Sequence, residues 1–131
     1  GFLNFILAWN KGINFGLFNN ENYNAKYFLI IISIFICSAI FFWVRKKNKK
    51  LLFIFSGLVI GGALGNCIDR IIYGAVVDYL NITCCGVKNP FSFNLADTFI
   101  FLGIVGLIVF SESEKKSKID YWCSRIKKKY L

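Results

Sequence analysis

Gly65-Asn66-Cys67-Ile68-Asp69-Arg70, Val76-Val77-Asp78-Tyr79 and Phe93-Asn94-Leu95-Ala96-Asp97-Thr98-Phe99-Ile100-Phe101 fall within one short stretch, residues 65–101, and its reading decides the fold. The first segment closes one apolar run, the last opens the next, and Asp78 stands between them. Ionisable side chains at the edge of a membrane-spanning segment are costly and point to function. On a helix, Asn66, Asp69 and Arg70 share a face at i, i+3 and i+4, as do Asn94 and Asp97 at i and i+3. The two faces can converge, with Asp78 delivered by the connection.

Outward from this stretch, apolar runs alternate with short charged blocks. Tyr27 to Val44 carries no charge and ends in Phe41-Phe42-Trp43, the aromatic composition of a membrane interface. Leu51 to about Asp69 forms a second run, whose Gly57, Gly61 and Gly65 recur every fourth residue and suggest a helix-packing stripe. Leu95 to Phe110 forms the third. Three transmembrane helices are expected, at 27–44, 51–69 and 95–110, within a single membrane domain of residues 1–131. The basic blocks Arg45–Lys50 and 111–131 then lie in the cytoplasm by the positive-inside bias, so the 70–94 connection and residue 1 face outward. Residues 1–26, with apolar runs at 2–9 and 13–18 around the turn Asn10-Lys11-Gly12, read as an external hairpin or small sheet. A first residue on the outside calls for either a cleaved signal or one more preceding helix, and a missing helix is the favoured reading.

Composition agrees. The chain is 56% hydrophobic and 18% charged, the balance of a multi-span membrane protein. Its net charge of +9 is gathered beside apolar runs, which fits an anionic inner leaflet and topology control rather than nucleic acid. The absence of histidine rules out Ser-His and Cys-His nucleophiles and the His-Glu-x-x-His zinc site. Cys37, Cys67, Cys84, Cys85 and Cys123 show no Cys-x-x-Cys spacing, so no metal is expected. Hydrolysis would have to use carboxylates. Two held close share a proton, one acting as base on water and the other as acid toward a carbonyl oxygen. Asp78 and Asp97, in apolar surroundings, are the pair of choice; Asp69, beside Arg70, reads as an orienting carboxylate. The alternative is a small channel or proton-coupled transporter subunit, but its charges belong near the bilayer midplane and often in internal repeats. Here the carboxylates gather at one edge.

The three segments quoted above, in this order, resemble the motif series of lipoprotein signal peptidase (signal peptidase II). Asn10-Lys11-Gly12-Ile13-Asn14-Phe15 resembles that family's earlier Asn-x-Gly-x-Ala-Phe motif, with Asn14 where alanine is usual. The resemblance covers about residues 1–110. It implies a mostly α membrane protein, an antiparallel bundle of four helices in the family against three here, with a small external β-rich cradle near the N-terminus. It implies an aspartyl endopeptidase of the bacterial inner membrane that cleaves prolipoproteins before a diacylglyceryl-modified cysteine, without a cofactor. Its partners would be that substrate and membrane phospholipid. By motif, Asp78 and Asp97 are the catalytic dyad, Asn10, Asn66, Arg70 and Asn94 bind substrate or support the dyad, and Gly12 and Asp69 give structural support.

Overall fold

Backbone groups in hydrocarbon find no water to bond, so a span must satisfy them internally. Each long apolar run does so as a helix. The computed structural model describes residues 2–12, 23–83 and 89–130; the run 13–18, with Asn14, and the Cys84-Cys85 pair lie outside the described residues. The order of elements is β1 (Leu3–Asn10), α1 (Tyr23–Val44), α2 (Lys50–Tyr73), β2 (Val76–Ile82) and α3 (Leu95–Tyr130). Ala25–Val44, Lys50–Tyr73 and Leu95–Glu112 are each long and apolar enough to cross a membrane. The chain is a mostly helical membrane protein with a small antiparallel sheet.

Helix α2 is central, packed on one side by α1 and more extensively on the other by α3. Contacts fix α3 antiparallel to α2. Gly62 faces Ala96 and Ile100, Gly103 faces Val59 and Phe55, and Gly106 lies under the Phe55 ring. Phe55 also stacks on Phe110 at 5.4 Å. The close approach is tight: a Cβ on Gly62 would lie 2.5 Å from the Ala96 carbonyl oxygen and 2.8 Å from Ile100 Cγ1. The expected stripe is therefore corrected. Among the described residues, a Cβ on Gly57 or Gly61 would meet nothing within 4 Å, and one on Gly65 only Ala96 Cβ, at 3.6 Å. The face that approaches α3 is rotated one residue onward, where Gly62 admits the first turn of that helix. Many apolar side chains elsewhere on the helices point outward; Phe35 is 74% exposed, as a lipid-facing residue would be.

The helix ends have local causes. Past α1, the Arg45 guanidinium covers the Phe41 ring at 5.7 Å and the Lys47 ammonium covers Trp43 at 5.1 Å, marking an interface. Helix α2 runs four residues beyond the expected Asp69 and stops at Gly74, whose left-handed φ of +77° lets its N–H return to the Arg70 carbonyl at 3.0 Å. Helix α3 continues unbroken through the segment read as a basic tail, to Tyr130.

The N-terminal strand finds its partner far along the chain. β1 pairs antiparallel with β2, from Leu3 opposite Ile82 to Asn10 opposite Val76, with a register irregularity between Phe5 and Ala8. Asn10 and Gly12 do make a turn, Asn10 Oδ1 accepting the Gly12 N–H at 2.9 Å. The 70–94 connection is thus not a simple loop: it holds the last turn of α2, strand β2 and a further bridge of Leu80 to Phe93.

Candidate active site

Two tight turns decide how the site's amides point. Asn94 precedes α3 as its N-cap: its Oδ1 accepts the Asp97 N–H at 2.9 Å, and Asp97 Oδ2 accepts the Asn94 N–H at 3.2 Å. This is a reciprocal capping box with aspartate at the third helical position. With its oxygen so occupied, Asn94 turns its Nδ2 toward Asp78 Oδ1 (3.2 Å) and Asn66 Oδ1 (3.0 Å). Asn66, its oxygen taken, donates Nδ2 to Asp97 Oδ1 at 2.8 Å. From the other side, the Asn10 oxygen is held by Gly12, so Asn10 Nδ2 donates to Asp78 Oδ2 at 3.0 Å. Backbone N–H groups thus orient Asn10 and Asn94, and Asn94 in turn orients Asn66, so that each amide donates to a carboxylate.

The result joins Asp78 on β2, Asp97 and Asn94 at the start of α3, Asn66 on α2 and Asn10 on β1 in one network. Asp78 is 2% exposed, Asn94 3% and Asn66 9%, while Asp97 is half-buried. Burial pushes the Asp78 carboxyl above the ordinary carboxylate range, and the neighbouring Asp97 charge pushes the same way. The amides of Asn10 and Asn94 and the Arg70 charge pull it back down.

Arg70 Nη1 donates to the Asn66 carbonyl at 3.3 Å, while its buried Nε has no partner among the described residues. Gly12, at φ +91°, sits beside this guanidinium; a Cβ there would strike the Leu29 side chain and come within 3.6 Å of Arg70 Nη2. Asp69 stands apart from the two carboxylates. Its Oδ2 accepts the Val77 N–H at 3.3 Å and so ties the start of β2 to the end of α2. Among the described residues, no three Asp, Glu or Cys side chains converge as a metal site.

Sequence reasoning missed Asn81. Only 3% exposed, it donates Nδ2 to the carbonyls of Asn89 (2.8 Å) and Phe91 (2.9 Å) and so directs the return path toward Asn94. An asparagine inside the apolar pattern Val76–Ile82, followed by Asn89-Pro90, was the available signal. The capping relation of Asn94 to Asp97 was equally readable from its spacing.

Comparison with known proteins matches residues 1–112 to the family described as signal peptidase (SPase) II. The lipoprotein signal peptidase of Methylorubrum extorquens (strain PA1) is 39% identical over 108 residues, covering 82% of this chain and 63% of that protein. Its counterpart in Methylobacterium radiotolerans is 39% identical over 112 residues, covering 86% of this chain and 65% of the relative. That of Caulobacter vibrioides is 34% identical over 122 residues, covering 92% and 71%. The chain thus spans a little under two thirds of the length of the first two. A solved structure described as a bacterial membrane enzyme, determined by the in meso method at 2.3 Å resolution, superposes with a TM-score of 0.71 at 29% identity. It covers 89% of this chain and 70% of that one.

Proposed function

The chain belongs to the signal peptidase II family, and from that premise we propose that it is a membrane aspartyl endopeptidase. Its substrate is a prolipoprotein, cleaved just before a diacylglyceryl-modified cysteine, and Asp78 and Asp97 are the dyad. The observation that carries this reading is the pair of carboxylates, from separate elements, joined through Asn94 and Asn66 where the spans meet the sheet.

The chemistry follows from the two environments. Asp78, buried and desolvated, holds the proton that the pair shares. Asp97, more open, takes a proton from a water as its oxygen attacks the scissile carbonyl carbon. Asp78 gives its proton to the carbonyl oxygen, leaving a neutral tetrahedral diol. Collapse of that diol breaks the C–N bond; a proton passes from Asp97 to the departing nitrogen, and one diol hydroxyl returns its proton to Asp78. The dyad is restored. Asn10, Asn66 and Asn94 keep the carboxyl groups in place through the cycle, and Arg70 presents donors to the substrate backbone.

The enzyme resides in the bacterial inner membrane, with the site at the external side and the basic segments in the cytoplasm, in keeping with the positive-inside bias. A gel mobility shift of a diacylated prolipoprotein incubated with the purified protein tests the activity. Release of the signal peptide, and failure to cut the same precursor before lipid modification, is the expected result. An intact diacylated precursor would refute it.

A further inference from the structure

Beyond Glu112, where the third span ends, α3 carries residues that neither the dyad nor the span uses. The match to the peptidase family also stops at residue 112. This distal helix has an apolar stripe: Ile119, Trp122, Cys123 and Ile126 recur at i, i+3, i+4 and i+7 and so share one face. All four are exposed. Residues 113–130 also hold Lys115, Lys116, Lys118, Arg125, Lys127, Lys128 and Lys129 against only Glu114 and Asp120. An apolar face with a strong positive excess, joined directly to a membrane span, has the features of a helix that lies in a lipid interface.

We infer that residues 113–130 dock as an interfacial helix on the anionic phospholipid surface of the membrane the chain spans, with Ile119, Trp122 and Ile126 entering the headgroup region. Charge decides the occupant. A second copy would bring two strongly basic helices together, whereas anionic headgroups attract each lysine or arginine near the surface. Topology supplies the surface. α3 leaves the bundle at the same end as the basic Arg45–Lys50 turn, because α2 and α3 are antiparallel. Docking tips the helix within the polar segment Ser111–Lys118. There the Ser111 hydroxyl already donates to the Ile108 carbonyl at 3.4 Å, a back-bond of the kind that bends helices.

Tryptophan fluorescence of the full chain reads this out. In a Trp9→Phe, Trp43→Phe background Trp122 is the one remaining tryptophan. The protein is reconstituted in bilayers of phosphatidylcholine alone, or of phosphatidylcholine with phosphatidylglycerol. In the anionic bilayer Trp122 is expected to be quenched by brominated lipid and shielded from acrylamide, and to return to water at high salt. Changing Lys127, Lys128 and Lys129 to Gln should weaken docking on the order of fivefold per charge removed. Ile119→Asp with Ile126→Asp should abolish it. Water-like emission of Trp122 in both bilayers overturns the inference. So does equal shielding in both, shielding that grows with protein density in the bilayer, or shielding that needs an added polyanion such as RNA.

Discussion

Replacing Asn94 separates its two duties. Asn94→Ser keeps an oxygen for the Asp97 N–H, so the α3 cap survives, but it deletes the Nδ2 that now serves Asp78 and Asn66. Asn94 itself is only 3% exposed, so water does not take the place of the lost donor. With Asp78 holding the shared proton, both lost bonds join neutral groups and contribute about 0.5–1.5 kcal/mol each, which sets the cost at roughly 1–3 kcal/mol. Asn94→Ala loses the cap as well, and should be less stable than the serine variant by a further ~1 kcal/mol. Catalysis should suffer in both variants, because a carboxyl displaced by even ~1 Å can lose on the order of 100-fold. Thermal unfolding in detergent micelles, followed by circular dichroism, gives the stabilities; prolipoprotein cleavage gives kcat/KM. An Asn94→Ser protein as active as the parent would refute the orienting role. Equal stability of the serine and alanine variants would refute the cap.

Packing gives a matched pair: Gly62→Leu should destabilise by about 1–3 kcal/mol by driving α3 away, whereas Gly61→Leu, open on the protein side, should melt like the parent. Arg70→Lys should lower cleavage despite keeping the charge, since an ammonium lacks the planar fork that reaches the Asn66 carbonyl; unchanged turnover would assign Arg70 to anchoring alone. The rate against pH should be bell-shaped, its alkaline limb marking loss of the proton that Asp78 and Asp97 share. The Asn10 amide favours the ionised form, so Asn10→Ala should move that limb to higher pH, and a downward move would contradict the assignment. Stability has a definite sign too. Folding raises the Asp78 pKa, so its contribution is fully present below the unfolded value and is lost as pH rises through the folded one. In stability measured against pH, Asp78→Asn should flatten that decline.

What the sequence made legible follows what the bilayer and the helix demand locally. A charge-free run such as Tyr27–Val44 has one stable answer in hydrocarbon, and polar residues gathered at run ends stand out against it. Asn66, Asn94, Asp78 and Asp97 were readable for that reason, and they do share one network. The pairing of β1 with β2 was not, because an eight-residue apolar strand carries no mark of a partner so distant in the chain. The stripe at Gly57, Gly61 and Gly65 has the right spacing, but spacing does not say which face meets a neighbour. Ala96 and Ile100 on α3 decide that, and they select Gly62. The continuation of α3 past Phe110 was hidden because change of solvent, from lipid to water, ends an apolar pattern without ending a helix.

The central claim is that Asp78 and Asp97 act as one unit on the scissile bond. Cleavage of a diacylglyceryl-modified prolipoprotein by Asp78→Asn, Asp97→Asn and the double variant, each shown to be folded and membrane-inserted, tests it most directly. Each single variant is expected to abolish cleavage, and the double variant to be scarcely worse than either. Asp69→Asn, whose carboxyl ties the start of β2, should lose stability while retaining turnover. Substantial cleavage by a folded Asp78→Asn or Asp97→Asn protein would contradict the account.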